Sequence, residues 1–142
     1  MKRTKMGRQK GSGENSVLIV DDNPTIRRLV SQAFRLDGFA VCSEADDGRQ
    51  AIELAKQVKP DLIILDLSMP VMNGLQAAPE LRKIAPETAI ILFTMFSSDL
   101  VAEQASKMGI DLVLSKTEAI SSVLDKAHFL MGDLFPRNCS QS

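Results

Sequence analysis

Apolar and polar positions along the chain fall into two kinds of segment that alternate. Four short apolar runs recur: Val17–Val20, Leu62–Leu65, Ala89–Phe93 and Leu112–Leu114. Each is rich in β-branched or large aliphatic residues and is bounded by polar or turn residues. Continuous runs of this length fit strands buried on both faces, as in a parallel sheet covered by helices. Phe39–Ala45 (FAVCSEA) is weaker and fits an edge strand.

Between the runs the apolar positions take helical spacing. Ile26, Leu29, Val30 and Ala33 share one face behind Asn23 and Pro24, an N-cap followed by a first helical residue, with Gly38 as the stop. Ala51, Leu54, Ala55 and Val58 form a second stripe. Asp47 and Gln50 stand at its start as a capping-box-like pair, and Pro60 closes it. A third helix is predicted over Leu75–Ile84. Pro79 falls inside it, so the helix either starts late, near Ala77, or kinks. Val101, Ala105 and Met108 mark a fourth helix before Gly109. Ile120, Val123, Leu124, Ala127 and Met131 mark a fifth before Gly132. A β-α unit repeated five times predicts an α/β fold, with a doubly wound five-stranded parallel sheet and helices on both faces. Ligands in such sheets bind beyond the carboxyl ends of the strands.

Composition narrows the function classes. Lys and Arg total 17 against 18 Asp and Glu, a formal net charge of −1, without the basic excess that a general nucleic-acid-binding surface needs. No apolar run approaches the roughly 18 residues of a membrane span. Two cysteines, Cys42 and Cys139, make neither a disulfide framework nor a zinc site, and a reducing, cytoplasmic compartment is expected. Charge is uneven. Residues 1–15 carry five Lys/Arg and one Glu with almost no apolar content, which predicts a basic, disordered N-terminal tail. Residues 16–132 form the expected domain and 133–142 a short C-terminal tail. With so little chain after the last helix, no output domain is expected, and action through partners follows.

The strand ends carry the candidate chemistry. The first strand ends in Asp21-Asp22, the third in Asp66, the fourth in Thr94 and the fifth in Ser115-Lys116. Each has an ordinary reading alone: a turn Asp, a strand Thr, a solvated Lys. The topology, however, brings all of them to one rim. Three close carboxylates repel one another, and a bound divalent cation relieves that cost. An all-oxygen donor set suits Mg²⁺. An Asp beside the metal can act as nucleophile toward a phosphoryl group. Lys116 and the cation would neutralise the transferring phosphoryl, and Thr94 could donate to one of its oxygens.

At these residues the chain resembles the receiver domain of response regulators, the phosphoacceptor module of two-component signalling. The matching stretches are Val17–Asp22 (VLIVDD), Leu62–Gly74 (LIILDLSMPVMNG), Ile90–Thr94 (IILFT) and Leu114–Lys116 (LSK), in the family's order. The resemblance implies the flavodoxin-like sheet order 2-1-3-4-5. It implies that Asp66 is phosphorylated and that Asp21, Asp22, Asp66 and the Ser68 backbone carbonyl hold Mg²⁺. Lys116 would pair with the carboxylate and then the phosphoryl group, and Thr94 would move toward the phosphoryl group on switching. A sensor histidine kinase or phosphotransfer protein is the implied donor. Output would pass to a protein partner, or into self-association, through the face of fourth helix, fifth strand and fifth helix, including Leu100, Val101, Val113 and Ile120. The protein would be a phosphoacceptor, not an enzyme in the usual sense, promoting its own phosphorylation and dephosphorylation, with no direct nucleic-acid or membrane binding.

Three positions depart from the family's commonest pattern. Met95 stands where a small residue usually follows the threonine, Val113 where Tyr or Phe is frequent, and Thr117 where Pro often follows the lysine. They put the threonine–aromatic switch in doubt and keep a phosphorylation-independent binding module as the alternative. A flavin carrier or phosphatase on the same fold fits less well. Two carboxylates stand where a flavin phosphate needs hydroxyls and glycines, and Asp66-Leu67-Ser68 lacks a second Asp to serve as acid/base. His128 reads as a half-buried surface residue and Cys42 as a small hydrophobe of the edge strand. Met69, Met72 and Met95 read as packing. Arg27 and Arg28 on the first helix read as solvated, or as part of a surface where this family commonly meets its kinase.

Overall fold

A computed structural model describes residues 15–132. The basic tail expected over 1–15, apart from Asn15, and the tail over 133–142 lie outside the described residues. The order is β1 (Ser16–Val20), α1 (Pro24–Leu36), β2 (Ala40–Ala45), α2 (Gly48–Val58), β3 (Leu62–Leu65), α3 (Gly74–Ile84), β4 (Ala89–Thr94), α4 (Asp99–Lys107), β5 (Leu112–Ser115) and α5 (Ile120–Leu130). The strands form one parallel sheet in the order β2-β1-β3-β4-β5, as expected, with β2 at an edge.

The continuous apolar runs are explained by two cores. Val17, Ile19, Ile64 and Ile91 point to the side covered by α1 and α5, where Phe34, Val123 and Ala127 meet them. Leu18, Val20, Ile63, Leu65, Ile90 and Leu92 point to the other side. There the alanines Ala51, Ala55, Ala77, Ala78 and Ala105 of α2, α3 and α4 pack on the sheet. Strand residues alternate between faces, so a strand with both faces covered is apolar throughout.

The caps follow the sequence closely. The Asn23 side chain accepts from the Thr25 and Ile26 amides, and Pro24 opens α1. Asp47 caps α2 by accepting from the Gln50 amide at 2.8 Å, but Gln50 reaches back to the amide of Asp46, not to that of Asp47. The full capping box belongs to α3, between Asn73 and Gln76. The expectation of a late start near Ala77 is corrected: α3 begins at Gly74 and runs through Pro79. The box fixes the start of the helix ahead of Pro79, which has no N–H to offer the Leu75 carbonyl one turn back.

Register delivers the site. Val20 pairs with Leu65, and Thr94 pairs with Ser115. The ladder continues one residue past the strands: the Asp66 amide donates to the Val20 carbonyl at 3.0 Å, and the Lys116 amide to the Thr94 carbonyl at 2.9 Å. Asp21, Asp66, Thr94 and Lys116 thus stand side by side at one edge of the sheet. The loop after Asp66 folds back closely, with the Gly74 amide donating to the Leu67 carbonyl at 2.9 Å. A Cβ on Gly74 would collide with the Asp66 carbonyl oxygen, so glycine is required there.

Candidate phosphoacceptor and metal site

Asp21 and Asp66 are buried at the carboxyl ends of β1 and β3, while Asp22 is exposed. One carboxylate oxygen from each of the three lies within 4.8 Å of the others. The Lys116 ammonium enters from the end of β5. Its Nζ donates to Asp21 Oδ2 at 2.6 Å and lies 3.4 Å from Asp66 Oδ1. Burial pushes the Asp66 carboxyl up to about 6, and the neighbouring Asp21 charge adds to the shift, while Lys116 opposes it. The site therefore concentrates negative charge that one ammonium only partly offsets. Three convergent carboxylates and no sulfur or imidazole ligand among the described residues fit a hard divalent cation such as Mg²⁺.

Thr94 is fully buried at the end of β4, and its Oγ1 accepts from the Phe96 amide at 3.1 Å. That bond uses a lone pair, which leaves the hydroxyl proton to donate. Ser68 is exposed at the start of the β3–α3 loop, where Leu67, Met69, Asn73 and Phe96 line a shallow depression with it.

The sequence matches the family described as the response regulator receiver domain over residues 17–128. The chain belongs to this family. The matched residues are a phosphoacceptor module. Among relatives, the transcriptional regulatory protein PdtaR of Mycobacterium tuberculosis is 38% identical over 110 residues, covering 76% of this chain and 52% of that protein. The chemotaxis protein CheY of Thermotoga maritima is 38% identical over 93 residues, covering 66% of this chain and 78% of that protein. The chain spans about half the length of the first curated relatives it matches. Among solved structures, the signal receiver domain of NarL from Mycobacterium tuberculosis superposes with a TM-score of 0.79 at 30% identity, covering 84% of this chain and 97% of that one. A chain of the CheX–CheY–BeF₃–Mg²⁺ complex from Borrelia burgdorferi gives a TM-score of 0.80 at 23% identity, with 84% and 91% covered, a likeness in fold.

His128 is half-buried, as expected, and its Nε2 lies 2.6 Å from Asp37 Oδ2, joining α5 to the end of α1. Cys42 is exposed and not a packed hydrophobe: β2 slips one residue against β1 between Val17 and Leu18, and Cys42 is the extra residue. Met69 and Met72 pack on the α2–α3 side, whereas Met95 is 60% exposed and does not pack. Val101 and Val113 are partly buried, while Leu100 and Ile120 are exposed. Arg28 is exposed, but Arg27 is not a freely solvated cation. Its Nη1 donates to the Asp21 carbonyl at 2.7 Å and its Nε to Glu44 at 3.2 Å. No spacing rule links Arg27 to Glu44, because they meet only through the packing of α1 beside β2. Among the described residues, no helix is long and apolar enough to cross a membrane.

Proposed function

We propose that Asp66 is the phosphorylated residue, with Mg²⁺ held by Asp21, Asp22, Asp66 and the Ser68 carbonyl. The observation that carries this reading is the convergence of three carboxylates within 4.8 Å, two of them met by Lys116. A carboxylate oxygen of Asp66 attacks the phosphorus of a phosphohistidine. A P–O bond forms, the P–N bond breaks, and the leaving imidazole takes up a proton. The cation supplies charge neutralisation at the phosphoryl oxygens. Lys116 carries a second positive charge to the same oxygens, and Thr94 donates its hydroxyl proton to one of them. Burial raises the Asp66 carboxyl to about 6, and a cation beside it would favour the ionised nucleophile further.

The donor is a cytoplasmic histidine kinase or phosphotransfer protein. An apolar hollow of about 320 Å³ beside the crevice supports this, lined by Ile26, Leu29 and Val30 of α1 with Phe93, Lys116 and Ile120. It offers a seat for apolar side chains of a helical donor next to the reacting carboxylate. Output runs through the face of α4, β5 and α5 to a protein partner or a second copy. Thr94 and Lys116 lead directly into that face, and Leu100 and Ile120 are exposed on it. Incubation with a small phosphodonor and Mg²⁺, followed by mass spectrometry, tests the assignment. One added phosphoryl group is expected, absent without Mg²⁺ and absent in Asp66→Asn. Labelling that persists in Asp66→Asn overturns it.

A further inference from the structure

We infer that Arg27, held by Glu44, is a positioning residue for Mg²⁺ binding, because it fixes the peptide plane that joins Asp21 to Asp22. The inference rests on the metal reading above and adds two residues to it.

Every polar group of Asp21 is engaged. Its amide donates to the Ala45 carbonyl at 3.0 Å. Its Oδ1 accepts from the Asn23 amide at 2.9 Å, and its Oδ2 from Lys116 at 2.6 Å. Its carbonyl oxygen accepts from Arg27 Nη1 at 2.7 Å. This last bond differs in kind. The Asp21 carbonyl and the Asp22 amide belong to one rigid peptide unit. Asp22 is exposed, so its carboxylate is aimed by its backbone and not by surrounding side chains. The guanidinium that holds the plane therefore restricts the Asp22 backbone and the direction in which its side chain leaves the chain.

Arg27 is itself held. Its Nε bonds Glu44 Oε1 at 3.2 Å, and its side chain is only 21% exposed. Arg35 approaches the other Glu44 oxygen at 3.9 Å. Glu44 lies near the end of β2, whose last residue, Ala45, receives the Asp21 amide. The chain Glu44–Arg27–Asp21 thus ties β2, α1 and the end of β1 together. Glu44 also has an electrostatic task. An unpaired guanidinium beside three carboxylates would repel a cation, and Glu44 offsets that charge. The planar fork of Arg suits two bonds in fixed directions, which a single ammonium does not reproduce.

The test uses NMR on the full chain with Arg27→Met, Arg27→Lys and Glu44→Gln. Two readouts are taken: Mg²⁺ affinity from the amide shifts of Asp22, Asp66 and Lys116, and the fast backbone mobility of Asp22 without metal. Loss of a residue that orients metal ligands costs roughly tenfold or more in affinity, and that is expected for Arg27→Lys, which keeps the charge and loses the fork, while Arg27→Met loses less because it also removes a charge that repels the cation. The Asp22 amide becomes more mobile while the β1 core amides do not. A merely structural role would lower the melting temperature and leave both readouts unmoved in the folded protein. Glu44→Gln keeps the fork in place and covers the case in which Arg27→Lys fails to fold. Its Mg²⁺ affinity falls severalfold below that of wild type at low salt, and the gap between the two closes with added salt. A folded Arg27→Lys with an unchanged Asp22 amide and an affinity within about twofold of wild type overturns the inference. So does a Glu44→Gln protein that binds Mg²⁺ as wild type does at low salt. A wild-type crevice that does not respond to Mg²⁺ overturns the metal reading itself, and this inference with it.

Discussion

The Lys116 ammonium sits closer to Asp21 than to Asp66, at 2.6 Å against 3.4 Å. In this state the lysine acts mainly as a counter-ion to Asp21 and only secondarily as a partner of the proposed nucleophile. A cation arriving at the same carboxylates competes with it. A phosphoryl group on Asp66 would draw the ammonium across a short gap.

Lys116→Met should therefore separate metal binding from phosphorylation. Removing a unit positive charge a few ångströms from the cation favours Mg²⁺, by roughly tenfold in affinity even with strong dielectric screening. Phosphorylation by a small donor should slow sharply, because one of two cationic groups at the transferring phosphoryl is gone. Calorimetric Mg²⁺ titration and phosphorylation rates in the same variant check both directions. Parallel loss of the two would show that Lys116 holds the acidic pair in place instead.

Metal-free stability should depend on pH through Asp66. Its carboxyl is raised from 3.8 to about 6, so the folded state binds the proton more tightly than the unfolded chain. The resulting stability is fully present below about pH 4 and is lost as pH rises through about 6, on the order of 2 to 3 kcal/mol. Asp66→Asn should be more stable than wild type at pH 7 and should lack this dependence. Added Mg²⁺ should diminish it in wild type. Urea unfolding across pH 4 to 8, roughly the window of the shift, measures it.

Met95 follows Thr94 directly and is 60% exposed. A long, flexible side chain at that position can shield the crevice without a fixed geometry. Met95→Ala should speed phosphorylation by small donors and shorten the lifetime of the acyl phosphate, since donor and hydrolytic water share one entrance. Rapid-mixing measurement of both rates decides it. Unchanged rates in the folded variant would show that Met95 does not shield the site.

Val71 is strained. Its φ is +68°, and the Met72 amide donates back to the Pro70 carbonyl at 2.6 Å across it, a tight turn unfavourable for a β-branched residue. The turn presents the Met72 carbonyl to the Gly48 amide at 3.0 Å, linking the loop after Asp66 to the start of α2. Val71→Gly relieves the strain at the cost of extra freedom in the unfolded chain, for a net gain of about 1 kcal/mol. Thermal denaturation should show a raised melting temperature. A lower one would mean that the exposed Val71 side chain contributes packing that outweighs its backbone.

Much of this receiver could be read from its sequence. Strands with both faces covered must be apolar throughout, helices must repeat on their own period, and turns need Asn, Gly or Pro at particular places. The runs at Val17–Val20 and Leu62–Leu65, the Asn23–Pro24 start and the Gly109 and Gly132 stops were therefore legible. So was the set Asp21, Asp22, Asp66, Thr94 and Lys116, because a parallel sheet gathers its strand ends at one edge. What the tertiary structure alone decided depends on pairs with no fixed spacing along the chain. Arg27 meets Glu44 and the Asp21 carbonyl because α1 lies beside β2. Cys42 is the extra, exposed residue where β2 slips one residue against β1, and neither strand announces the slip in its own pattern. α3 begins at Gly74, ahead of Pro79, where the Asn73–Gln76 box fixes its first turn. Periodicity and caps are local and leave a mark in the sequence. The distance between two side chains on different elements is set by packing, and that exists only once the chain has folded.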